Sequence, residues 1–123
     1  MQRDSLMSEL EKLKLQLRRF AEKRDWEQFH SPKNLSMALS VEISEVVEHF
    51  QWLTEEQSRN LPKDKLEDVA TELADTFIYL IRLADKLKID LLAAAQNKLE
   101  VNEQKYPVGK AKGTARKYTD FDK

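Results

Sequence analysis

Residues 62–87 read as one long helix opened by Pro62, and this segment constrains the fold more than any other. Its second half, Phe77-Ile78-Tyr79-Leu80-Ile81, is apolar on almost every side. A helix hydrophobic all round needs neighbours on several faces. A chain of 123 residues builds only a thin core, so the missing cover is expected to come from a subunit interface.

The flanking segments follow the same helical logic. Over residues 5–24, Leu6, Leu10, Leu13, Leu17 and Phe20 recur at three- and four-residue steps and make one apolar stripe. A connector, Asp25-Trp26-Glu27-Gln28-Phe29-His30, follows, and its aromatics must either tuck into a core or face a ligand. Ser31-Pro32 offers an N-cap and a first-turn proline for a second helix reaching about Trp52. Thr54 with Gln57 resembles a capping box for a short connecting helix. Asp90 caps a last helix over 91–105. Two glycines and three prolines leave little turn material for strands. The expected fold is all-α: four main helices plus a short connecting helix, in a bundle assembled as an oligomer. One helical domain is expected over 1–105, with a basic tail, extended or mobile, over 106–123.

Charge excludes several function classes. The net charge is −1, with 21 basic and 22 acidic residues, which gives no global attraction to nucleic acid. No cysteine is present, so thiolate metal sites and cysteine nucleophiles are excluded. No apolar run is long enough for a membrane span, and no signal-peptide core opens the chain. Cytoplasmic residence is the expectation.

The informative feature is where basic residues are missing. From Asn34 to Ser58 there is no Lys or Arg, yet Glu42, Glu45, Glu48, Glu55 and Glu56 all fall there. From Leu66 to Ile81 basic residues are again absent, with Glu67, Asp68, Glu72 and Asp75 present. A solvated helix tends to interleave signs, because Glu–Lys pairs one turn apart help it. Glu42 and Glu45 share one helix face, as do Glu72 and Asp75. A single such pair is ordinarily a solvated face. Two pairs on two packed helices would bring four carboxylates together, and like charges in one cleft raise each other's pKa. A divalent cation removes that conflict. All-oxygen ligands point to Mg²⁺ or Mn²⁺ rather than zinc.

The order Glu-x-x-Glu, a gap, then Glu-x-x-Asp resembles the MazG-like all-α nucleoside triphosphate pyrophosphohydrolases, whose motif is Glu-Glu-x-x-Glu followed by Glu-x-x-Asp. Here it reads Val41-Glu42-Ile43-Ser44-Glu45, 26 intervening residues, then Glu72-Leu73-Ala74-Asp75. Val41 stands where the doublet has its first glutamate. The dCTP pyrophosphatase branch is also apolar or glycine there. Arg24 to His30, Asn34-Leu35, Phe50-Gln51-Trp52, Lys105-Tyr106-Pro107 and Ala115-Arg116-Lys117-Tyr118 resemble that branch too.

The resemblance implies Mg²⁺-dependent hydrolysis of a nucleoside triphosphate, dCTP or a modified dCTP first, to the monophosphate and pyrophosphate, in nucleotide-pool cleansing. It also implies a dimer or tetramer. Carried over residue by residue, Glu42, Glu45, Glu72 and Asp75 are metal ligands and the catalytic carboxylates, one glutamate serving as base. Trp26, Trp52 and Tyr79 are candidates to line the base pocket, with core packing the competing role for each. Lys98, Asn102 and Tyr106, at four-residue steps, match positions contacting phosphate or sugar, against a solvated stripe. Lys110, Lys112, Arg116 and Lys117 either close over phosphates or belong to a disordered tail. His49, one turn from Glu45, either supports that carboxylate or caps the helix surface.

Three rival readings fit less of the chain. A non-enzymatic helical interaction module leaves the two acidic windows unexplained. A di-iron carboxylate bundle calls for Glu-x-x-His pairs, whereas Val46 precedes His49 by three residues and the later helix has no histidine. A DNA-binding helical protein conflicts with the balanced charge.

Overall fold

The computed structural model describes residues 2–122, with side chains from Glu9 onward, so Leu6 of the expected stripe lies outside the described side chains. Among the described residues the chain is helical without strands. Helix α1 spans Gln2–Lys23, α2 Pro32–Glu48, α3 Glu55–Ser58, α4 Lys63–Lys86, α5 Leu91–Lys105 and α6 Val108–Ala111. Single 3₁₀ turns occur at Glu27–Phe29 and Tyr118–Asp120. No helix of the described residues is long and apolar enough to cross a membrane.

Local chemistry sets most boundaries. The Ser31 hydroxyl accepts the Asn34 N–H at 3.1 Å, with Pro32 at the first helical position. Thr54 and Gln57 form a reciprocal capping box, each side chain accepting the other's backbone N–H. Asp90 accepts the Ala93 N–H at 3.0 Å. Helix α1 closes with Asp25 in the left-handed region, φ +55°. There Trp26 N–H reaches the Ala21 carbonyl at 2.9 Å and Asp25 N–H the Glu22 carbonyl at 3.1 Å. That pairing is the Schellman motif, and its usual apolar contact is present: the Trp26 ring stands edge-on to Phe20, centroids 5.6 Å apart. Helix α2 ends at Glu48, short of the expected Trp52. Phe50 and Gln51 both donate to the Val47 carbonyl, so the chain tightens into turns there.

The chain divides into two compact units, one ending at Ile89 and one beginning at Asp90. In the first, α2 packs along α4, and α1 packs against α4. The core comprises Ala21, Leu35, Val69, Ile81 and Ala84. The second unit is built on α5. Its tail is folded rather than extended: Tyr106 stands edge-on to both Tyr118 and Phe121, at 5.9 and 5.6 Å. Lys110 pairs with Asp122 at 3.0 Å. Gly113, at φ +78°, supplies the left-handed backbone that glycine adopts without penalty, just after α6.

Candidate metal centre

Helices α2 and α4 each present acidic side chains at three-residue spacing, and their packing brings Glu42, Glu45 and Glu72 together. One carboxylate oxygen from each lies within 4.8 Å of the other two. All three residues are half-buried. Asp75, one turn beyond Glu72 and also half-buried, is outside this tight group, but its charge acts on Glu42. The four expected carboxylates thus converge as an inner three with a fourth near by.

The electrostatics are those of uncompensated negative charge. The Glu72 pKa is pushed up to about 7, first by the hydrogen bond shared with Glu45, then by loss of solvent and the charges of Glu45 and Glu42. Glu42 is also raised, by burial first and then by Glu45, while its hydrogen bond with Glu72 acts the other way. Glu72 and Glu42 thus titrate together rather than independently, both above the ordinary carboxylate value. Glu42 Oε2 and Glu72 Oε2 are both shut off from solvent without a hydrogen-bond partner. Buried carboxylate oxygens are normally satisfied, and these two are exceptions on which a cation would fit. An all-oxygen donor set fits a hard divalent cation such as Mg²⁺.

The other sequence candidates are placed as follows. Tyr79 is half-buried on α4, one turn beyond Asp75. Trp26 is 42% exposed and Trp52, in the turn after α2, is 86% exposed. Trp52 is therefore not core within this chain, and neither is the exposed Phe29. His49 is the C-cap residue of α2. Lys98 and Asn102 lie on α5 in the second unit, and Tyr106, its C-cap, is engaged by Tyr118 and Phe121.

Sequence reasoning missed Arg82. It is 3% exposed, donates from Nη2 to Glu27 Oε1 at 2.8 Å and lies 3.2 Å from His30 Nδ1. Glu27 is also paired with Lys86, and these contacts hold its pKa below the usual carboxylate range, Lys86 most strongly. The signal was present: Arg82 is the one basic residue between Leu66 and Asp85, placed directly after the apolar run.

The chain is similar to known proteins in both sequence and fold. The profile of the MazG-like family matches residues 37–121. The dCTP pyrophosphatase 1 of Mus musculus is 44% identical over 104 residues, covering 83% of this chain and 61% of that protein. The Homo sapiens protein of the same name is 41% identical over 104 residues, with the same shares. The chain thus spans about three-fifths of the length of the curated relatives it matches. A solved structure of a pyrophosphatase from Archaeoglobus fulgidus superposes with a TM-score of 0.76 at 37% identity, covering 80% of this chain and 93% of that one. With its helices, its carboxylate pairs and these matches in agreement, the chain belongs to the MazG-like family.

Proposed function

We propose that this chain hydrolyses (deoxy)nucleoside triphosphates, dCTP or a modified dCTP first, to the monophosphate and pyrophosphate in a Mg²⁺-dependent reaction. The observation that carries the reading is the convergence of Glu42, Glu45 and Glu72 with two buried, unpartnered oxygens. A purely non-enzymatic helical module leaves those oxygens unexplained. The names of the relatives, dCTP pyrophosphatase and pyrophosphatase, supply the reaction class.

Glu42, Glu45, Glu72 and Asp75 would hold the cation. Bound Mg²⁺ would neutralise polyphosphate charge and polarise the phosphorus, with Mn²⁺ as a substitute. The chain's residues do the rest. A carboxylate of the cluster takes the proton from the attacking water. Trp26, Trp52 and Tyr79 supply the flat, largely apolar surfaces a base needs, and the exposure of the two tryptophans supports that role. Lys98, Asn102 and Tyr106 would meet phosphate or sugar. A role in nucleotide-pool cleansing in the cytoplasm belongs to the same proposal.

The active form is a homo-oligomer, a dimer or a tetramer. Along α4, Leu66, Ala70, Leu73, Phe77 and Leu80 follow a four-three spacing and are all exposed. An apolar seam with that repeat is the pattern by which helices pair.

A panel of NTPs and dNTPs with Mg²⁺, read separately for pyrophosphate and orthophosphate, tests the reaction. Pyrophosphate release that is lost in Glu45→Gln supports it. Orthophosphate alone, or no release, refutes it.

A further inference from the structure

The connector that carries Trp26 is held to α4 by a buried guanidinium. Arg82 Nη2 donates to Glu27 Oε1 at 2.8 Å and meets His30 Nδ1 at 3.2 Å. Arginine can only donate, so His30 Nδ1 accepts and the imidazole proton sits on Nε2. One side chain therefore grips the connector near both ends, Glu27 next to Trp26 and His30 just before the α2 cap. Trp26 also faces His30, with ring centroids 6.2 Å apart.

The grip is itself braced. Lys86 pairs with the second Glu27 oxygen. Asp85 lies 3.5 Å from Arg82 Nη1 and receives two hydrogen bonds from Arg18 of α1, at 2.8 and 2.7 Å. Burying a charge is costly, and an apolar residue of similar volume often packs at least as well. What the guanidinium adds is direction: a planar fork holding two partners at fixed positions. The Schellman closure fixes how Trp26 leaves α1, but not where the connector rests on α4.

The same helix carries the acidic cluster. Asp75 and Arg82 are seven residues apart, which puts them on one face of α4, about 10.5 Å apart along its axis. We infer that Arg82 is a positioning residue: by gripping Glu27 and His30 it sets Trp26, and with it the nucleotide's base, relative to the carboxylates on α4. The inference rests on the function proposed above.

Two readouts test it. Acrylamide quenching of Trp26, in a Trp52→Phe background, reports the connector without turnover. The split between KM and kcat, with Trp52 intact and well below each variant's melting temperature, reports the base. Arg82→Met is expected to raise Trp26 quenching roughly two-fold and KM about tenfold, with kcat within about two-fold, since a misplaced contact weakens binding before chemistry. Glu27→Gln keeps the guanidinium in place and shifts both in the same direction by less. If Arg82→Met does not fold, Arg82→Lys and Glu27→Gln report the same quantities. Unchanged quenching, or a fall in kcat at constant KM, overturns the inference. If the wild-type protein hydrolyses no nucleotide, the proposed function fails, and the grip on Trp26 is judged by quenching alone.

Discussion

Glu42 on α2 and Glu72 on α4 bring carboxylate oxygens within 4.8 Å of each other, and each keeps an oxygen with neither solvent nor a hydrogen-bond partner. Two helices packed through such a contact hold like charges together, a conflict that a bound cation would relieve. Divalent metal should therefore stabilise the fold by about 2.7 kcal/mol at roughly a hundredfold excess over Kd. Thermal unfolding with and without Mg²⁺ measures this. Glu45→Gln should lose most of the metal response and at least about 100-fold of the activity.

The same conflict has a pH signature in metal-free protein. Glu72 is raised from an ordinary 4.5 to about 7 in the fold. A carboxyl raised on folding favours the native state less as it ionises, so its contribution falls between about pH 4.5 and 7 and stays low above. The melting temperature of wild type relative to Glu72→Gln should accordingly fall from pH 5 to pH 8. Saturating Mg²⁺ should flatten that difference. Equal offsets at both pH values without metal would show that Glu72 is not protonated in the fold.

The Arg18–Asp85 contact carries the opposite sign. The hydrogen bond from Arg18 holds Asp85 below the usual aspartate range, ordinarily 3.8, and the Asp85 side chain is 7% exposed. Stability from this pair is full above that ordinary value and is lost as pH falls through the depressed one. Asp85→Asn should cost about 2 kcal/mol at neutral pH, with the deficit shrinking in acid. Urea unfolding at pH 7 and pH 3 checks both parts.

The proposed association runs through the exposed seam of α4. Leu73→Glu or Phe77→Glu places charge in a surface that two copies would bury. Either change should lower the mass seen by light scattering to that of one chain. A wild-type protein already monodisperse at one chain's mass would remove the oligomer from the account.

Much of this structure was legible where side chains speak for their own backbone. Ser31-Pro32, the Thr54–Gln57 box and Asp90 each marked a helix start, because capping is a local hydrogen bond. The end of α2 was not legible, since no glycine or proline stops it and the chain simply tightens at the Val47 carbonyl. Spacing put Glu42 with Glu45 and Glu72 with Asp75, but a shared face does not fix reach, so Asp75 stands outside the inner three. Arg82 escaped because its partners in the connector lie 52 and 55 residues away, a distance no local pattern spans. The folded tail escaped for the same reason: Tyr106, Tyr118 and Phe121 are scattered aromatics until the chain turns at Gly113.

Crystals grown or soaked with Mn²⁺ and measured for its anomalous scattering reach the carboxylate cluster without assuming a substrate. A peak coordinated by Glu42, Glu45 and Glu72, with Asp75 closing in, is the expected result. Well-ordered crystals at millimolar Mn²⁺, with no peak there and the three side chains turned apart, would contradict the cation site on which the rest is built.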